Sequence, residues 1–315
     1  MEWWHAVVLG LVEGITEYLP ISSTGHLILT RDVLGLGESP AARAAIDTFS
    51  IVVQGGAILA VLGLYWPSVV RMLRGLIGKD RAGLRLAINL IIAFMPAAVI
   101  GLLIEDAIDE HLFSTWAVLL ALFVGGIYML IVAMWARGRI GGLRRMRQID
   151  DVTEITPGQA FMIGLMQCIA MWPGTSRSMM TITGGLFVGL SPRAAAQFSF
   201  LLGLPTLGAA CVYKLAKNLA GAAAGENPSI FDQLGWGPCI IGIIVAALSA
   251  AVAVRWLVGF LTRHGLAPFG WYRLVLTGVM LALLSTGVLQ WEGAGGAESG
   301  QPPAELPATL TPTTP

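Results

Sequence analysis

Six runs of about twenty mostly apolar residues, at positions 46–66, 86–104, 115–135, 195–215, 238–260 and 271–291, constrain this chain more than anything else in it. Each is long enough to cross the hydrocarbon core of a bilayer as one helix. Charged residues make up 12% of the chain and apolar ones 56%, with a mean hydropathy of +0.75. A soluble domain carries about twice that share of charge. An all-α polytopic membrane protein with six spanning helices is the fold these numbers allow. The formal net charge is zero, without the basic excess of a phosphate-backbone binder, so no nucleic acid is expected as partner. Cys168, Cys211 and Cys239 show no C-x-x-C spacing and read as packing residues.

Two further apolar regions are interrupted. Residues 3–36 are broken by Glu13, Glu17, Pro20, Ser22, Ser23, Thr24, Gly25 and His26, and residues 157–190 by Pro173, Gly174, Thr175, Ser176, Arg177 and Ser178. Each half is too short to cross, and unwound polar backbone persists at membrane depth only where protein or a watery cavity surrounds it. Both regions read as re-entrant helix–loop–helix hairpins. Nothing at the N-terminus has the basic segment and cleavage site of a signal peptide. Residues 293–315 are Gly, Ala, Pro, Thr and Glu with little to bury, and read as a disordered tail after a single catalytic domain spanning 1–292.

Basic residues orient the spans. The connection 67–85 carries Arg71, Arg74, Lys79, Arg81 and Arg85, and the connection 136–156 carries Arg137, Arg139, Arg144, Arg145 and Arg147, so both face the cytoplasm. The connection 105–111 between them carries Glu105, Asp106, Asp109 and Glu110 and faces outward. Both termini then lie outside, with the first hairpin entering from outside and the second from the cytoplasm.

A weak internal repeat agrees, with halves at about 1–135 and 157–292. Ala6, Gly10 and Glu13 align with Ala160, Gly164 and Gln167; after one residue of slippage Pro20 and Ser23 align with Pro173 and Ser176, and Phe49 aligns with Phe198. Three crossings separate the copies, so their orientations are opposite. Such inverted repeats bring broken helices together near the midplane.

The broken segments carry the chemistry. Glu13 and Glu17 are one helical turn apart and repel each other unless a divalent cation or a proton is shared. At the bilayer edge they would simply be solvated, but the polar run continues to His26 without an amphipathic pattern. Ser22, Ser23 and Thr24 bring hydroxyls and His26 a base, the parts of an activated nucleophile. A cap serine and a packed histidine would be the plainer roles. In the second hairpin, Pro173 and Gly174 suit a helix start that presents free amides, with hydroxyls at Thr175, Ser176, Ser178 and Thr181. Arg177 is permanently charged and grips phosphate with a forked donor set, or else neutralises the acids. The two hairpins together read as a phosphoryl-transfer site.

The stretches from Glu13 to His26 and from Pro173 to Ser178 resemble the two signature motifs of undecaprenyl-diphosphatases of the bacitracin-resistance type. The resemblance extends through Gln54 in residues 53–61, through residues 197–205, and from Arg255 to Arg273. It implies hydrolysis of undecaprenyl diphosphate to the monophosphate carrier and inorganic phosphate in a bacterial inner membrane, serving cell-wall synthesis, with Mg2+ or Ca2+ as cofactor. It implies catalytic roles for Glu13, Glu17, Ser23, His26 and Arg177, with Glu13 and Glu17 holding the metal. Substrate contacts are implied for Ser22, Thr24, Gln54, Gly174, Thr175, Ser176, Ser178 and Thr181. Met179 stands where the family usually has glycine, which bears on how tightly the hairpin turns. A secondary transporter or lipid flippase is the rival from another class, since inverted repeats with broken helices are transporter architecture. Gly242 and Ala246 offer a small-residue face for close helix packing, and a homodimer would be one use of it.

Overall fold

The computed structural model describes residues 1–36, 40–112, 114–138, 148–225 and 229–289, without the side chains of 40–44, 47, 105, 106, 109 and 110. The 293–315 tail, the basic residues of 139–147 and the side chains of the four acids of 105–110 therefore lie outside the described part. Among the described residues the chain is helical, with one isolated bridge between Ile149 and Leu190.

The six anticipated spans are six helices. They are α3 (Pro40–Leu64), α5 (Arg81–His111), α6 (Thr115–Ala136), α9 (Pro192–Ala223), α11 (Trp236–His264) and α12 (Ala267–Ser285). Five are long and apolar enough to cross alone, and the described part of α3 qualifies together with the helix that follows it, α4 (Trp66–Leu76), at a bend of 78°. The connection at 67–85 thus contains a helix of its own. Pro67 starts a new helix, Asp80 caps the next by accepting from Gly83 N–H at 2.8 Å, and Arg71 pairs with Asp80 at 3.2 Å. The acidic connection is also shorter than expected. Helix α5 runs on through residues 105–111, because nothing there breaks a helix once the apolar run has ended.

The two hairpins are α1 (Trp3–Thr16) with α2 (Ser23–Val33), and α7 (Pro157–Ile169) with α8 (Arg177–Phe187). Helices of 14, 11, 13 and 11 residues are about 16–21 Å long at 1.5 Å per residue, well short of a ~30 Å core. A short helix α10 (Ile230–Leu234) precedes α11.

The packing is exchanged between halves. Helix α1 lies against α11, α7 lies against α5, α3 meets α9, and α6 meets α12. Glycines set two of these exchanged contacts. A Cβ on Gly10 would stand 2.8 Å from Gly242 O of α11, and one on Gly164 would stand 2.4 Å from Ala93 O of α5. Backbone this close is how apolar helices gain dispersion contact without a hydrophobic drive from lipid. Gly242 and Ala246 are thereby used within the chain, Gly242 also facing Phe49 and Val53 of α3. That face is filled within the chain.

The register of the repeat also needs correcting. Ser22 caps α2 and Ser176 caps α8, with φ of 73° and 79°, the two non-glycine residues of positive φ among those described. Ser22 follows Glu13 by as many residues as Ser176 follows Gln167, so no slippage is needed. Ser23 then corresponds to Arg177, each the first residue of its helix.

Candidate active site

The tips of the hairpins meet. Each turn leaves its first helix, passes through a serine of positive φ, and starts a second helix on that serine's side chain. Ser22 Oγ accepts from Gly25 N–H at 3.5 Å and Ser176 Oγ from Met179 N–H at 3.3 Å. Gly174, at φ 93°, lies so close to α6 that a Cβ would stand 2.7 Å from Val118 O. Met179 lies inside α8 and in the apolar core, so its departure from the family pattern leaves the turn itself untouched.

Glu17 is the centre of the meeting. Its Oε2 accepts the Ser23 hydroxyl at 2.8 Å, and its Oε1 accepts Arg177 Nη2 at 3.1 Å. The Glu17 and Arg177 side chains are 5% and 10% exposed, so the ion pair is largely desolvated. Arg177 Nη1 donates to Ser199 O at 3.0 Å, while Nε has no partner. The guanidinium stands over the Tyr18 ring, 5.3 Å from its centre, a cation–π contact. Glu13 lies one turn before Glu17, buried, with Oε2 unpartnered.

Other anticipated residues take structural partners. Ser178 Oγ donates to Leu19 O at 2.9 Å and ties the two turns together. Thr181 Oγ1 lies 2.6 Å from Ser199 Oγ, joining α8 to α9. Ser176 Oγ lies 3.0 Å from Ser178 Oγ. Gln54 Oε1 accepts from Cys211 Sγ at 3.4 Å, a tie between α3 and α9. Thr24 is a half-buried residue in the first turn of α2, and Thr175 is buried in the second hairpin's turn. His26 is on the same helix as Ser23, yet its ring faces elsewhere: Nδ1 lies 2.6 Å from Ser22 O and Nε2 2.7 Å from Tyr272 OH, with the two rings stacked at 4°.

Arg273 is the residue that the motifs alone did not single out as part of the site. It is fully buried on α12 and donates to four carbonyls: Gly174, Thr175, Ala121 and Leu122. Gly125 makes the space for it. The signal was present, because an arginine inside an apolar span is costly and kept for a reason. It clamps the second turn onto α6.

A largely apolar cavity of about 620 Å3 lies between α5, α7 and α9, walled by residues such as Phe94, Ala97, Leu102 and Leu207, with Gln167, Arg177, Thr206, Tyr213 and Lys214 as its polar part. Its walls use the C-terminal half of α5, which the charge pattern places on the outer side.

Two buried carboxylates, one with an oxygen to spare, suit a hard oxygen-binding cation. Among the described residues no three His, Cys, Asp or Glu side chains gather. Mg2+ typically takes one or two carboxylates and completes its shell with water and substrate phosphates. The residues fit such an ion.

Comparison with known proteins adds to the geometry. The model of the family "Bacitracin resistance protein BacA" matches residues 6–279. An undecaprenyl-diphosphatase of Sorangium cellulosum is 45% identical over 286 residues, covering 90% of this chain and 87% of that protein. Undecaprenyl-diphosphatase 2 of Rhodospirillum rubrum is 44% identical, covering 91% and 96%, and the undecaprenyl-diphosphatase of Acidovorax ebreus is 40% identical over the same shares.

Proposed function

The chain belongs to the bacitracin resistance protein BacA family, and we propose that it is a diphosphatase hydrolysing undecaprenyl diphosphate to undecaprenyl phosphate and inorganic phosphate in a bacterial inner membrane. The observation that carries this reading is Glu17, which holds a hydroxyl on one oxygen and a guanidinium on the other.

The lipid body stays among helices while the diphosphate reaches the hairpin tips. Ser23 Oγ attacks the terminal phosphorus and passes its proton to Glu17 Oε2, already in hydrogen-bond reach. A P–O bond to Ser23 forms as the phosphoanhydride P–O bond breaks, and the lipid monophosphate leaves with its electron pair. Arg177 turns from Glu17 to the phosphate oxygens and offsets their charge. Water then attacks the phosphoserine, freeing phosphate, and Glu17 returns the proton to Ser23. Glu13 and Glu17 would hold the divalent ion; when bound it would neutralise phosphate charge and orient the diphosphate. His26 keeps the first turn of α2 in register through Ser22 and Tyr272, and accepts a proton only if it leaves Tyr272.

Release of inorganic phosphate from undecaprenyl diphosphate by the purified protein in detergent is the test. A protein that binds or moves the lipid but releases no phosphate would overturn the reading in favour of a carrier.

A further inference from the structure

Gln167 holds, on α7, the place that Glu13 holds on α1. It is 2% exposed, and its Nε2 has no partner. An unpaired buried donor is costly, so its persistence calls for a partner that comes and goes. Thr206 Oγ1 lies 3.3 Å from Gln167 Oε1 and 2.9 Å from Leu202 O, fixing the carboxamide from α9. A carboxamide carries two N–H donors. Thr206 can absorb at most one of them, so one stays available whichever way the group is turned.

Arg177, whose Nε is another unpaired buried donor, lines the same cavity as Gln167. The rest of the wall is mostly apolar, with Tyr213 and Lys214 also on it. Unpaired donors and a cation on one largely apolar cavity suit an anionic head on a hydrocarbon body. Separate donors can serve the two phosphates. Arg177 Nη2 is engaged with Glu17, on the Ser23 side where the attacked phosphorus must lie, whereas Nε is unpaired and the Arg177 side chain also borders the cavity. A carboxylate at position 167 would repel phosphate; an amide donates to it. The exchange of acid for amide between the two hairpins therefore divides their labour, cation on one and lipid phosphate on the other.

Resting on the diphosphatase reading, we propose that Gln167, oriented by Thr206, binds together with Arg177 Nε the phosphate that remains on the lipid. It is a substrate-binding residue for the leaving group, and it makes the site selective for a phosphate attached to a chain.

The test compares inhibition by undecaprenyl phosphate with inhibition by inorganic phosphate, alongside turnover of undecaprenyl diphosphate. Gln167→Leu should raise the KM and the Ki for undecaprenyl phosphate by about tenfold, as for the loss of one hydrogen bond to a charged group, with the Ki for inorganic phosphate changed by less than about twofold. Thr206→Val should move the same two constants by about threefold, and Thr206→Ser should restore them. Unchanged inhibition by the lipid phosphate, or equal weakening for both anions, overturns the proposal. If Gln167→Leu does not fold, the Thr206 pair decides by the same criteria. A parent protein that hydrolyses no undecaprenyl diphosphate would instead sink the diphosphatase reading, so the two failures are distinct.

Discussion

Ser23 and Glu17 are joined across the first hairpin's turn, hydroxyl to carboxylate at 2.8 Å, with Glu17 capping the end of α1 and Ser23 starting α2. The turn between them reverses the chain, so the nucleophile faces back onto the acid that precedes it. Ser23→Ala should lower kcat by about 10²–10⁴-fold, the usual worth of a positioned proton transfer. Rapid quench of the parent should trap phosphate on Ser23. Near-normal turnover in Ser23→Ala would leave water as the attacking group, with the same residues around it.

Glu17 also neutralises Arg177 in a largely buried pair, and removing one partner of such a pair leaves a charge without compensation. Glu17→Gln should therefore cost stability, about 3 kcal/mol, as well as activity. The double variant Glu17→Gln with Arg177→Met should regain part of that stability while staying inactive. A thermal melt series on the parent, both single variants and the double variant measures the coupling. Purely additive losses would mean that the pair is not a unit.

Arg273 is the tether of the second turn. Arg273→Met strands carbonyls of Gly174, Thr175, Ala121 and Leu122, and we expect a loss of roughly 3–5 kcal/mol together with most of the activity. Arg273→Lys keeps the charge but cannot reach four acceptors from one ammonium, so it should rescue little. Melting temperature and phosphate release together check this.

Ser22 and Ser176 sit at φ near +75° with ψ above 100°, where an L side chain is strained by about 1–3 kcal/mol. Glycine carries no such strain and caps nearly as well. Ser176→Gly should leave the melting temperature unchanged or slightly raised, whereas Ser176→Val should lower it by several degrees. A fall in both would mean that the Ser176 hydroxyl, which also meets Ser178, matters more than the backbone angle.

Gly164 and Gly208 make a matched control for helix contact. A Cβ on Gly164 would stand 2.4 Å from Ala93 O, whereas one on Gly208 meets nothing within 4 Å. Gly164→Ala should destabilise by about 1–3 kcal/mol and disturb Gln167 one turn on; Gly208→Ala should be neutral. Equal melts for the two variants would contradict the close α5–α7 contact.

The spans, the two hairpins and the residues that meet at Glu17 were legible in the sequence, because apolar length and polar interruption are strong signals in a chain that must satisfy every backbone group internally. Three features were not. The register of the repeat was hidden, since Ser23 and Ser176 look alike while the chain matches Ser22 with Ser176 by backbone angle. The orientation of His26 depends on Tyr272, 246 positions away, which no local pattern encodes. The continuation of α5 past Ile104 was missed because acidic residues end an apolar run without ending a helix.

The exchange of α1 onto α11 has a consequence for how the protein is made. Gly10 finds its partner Gly242 only after most of the chain has been synthesised. At about 5–20 residues per second this is on the order of ten to fifty seconds. Glu13 and Glu17 are without Arg177 for the first part of that interval and without α11 for all of it, so the first hairpin lacks its final partners when it leaves the ribosome. The site is therefore completed by the half of the protein that arrives second.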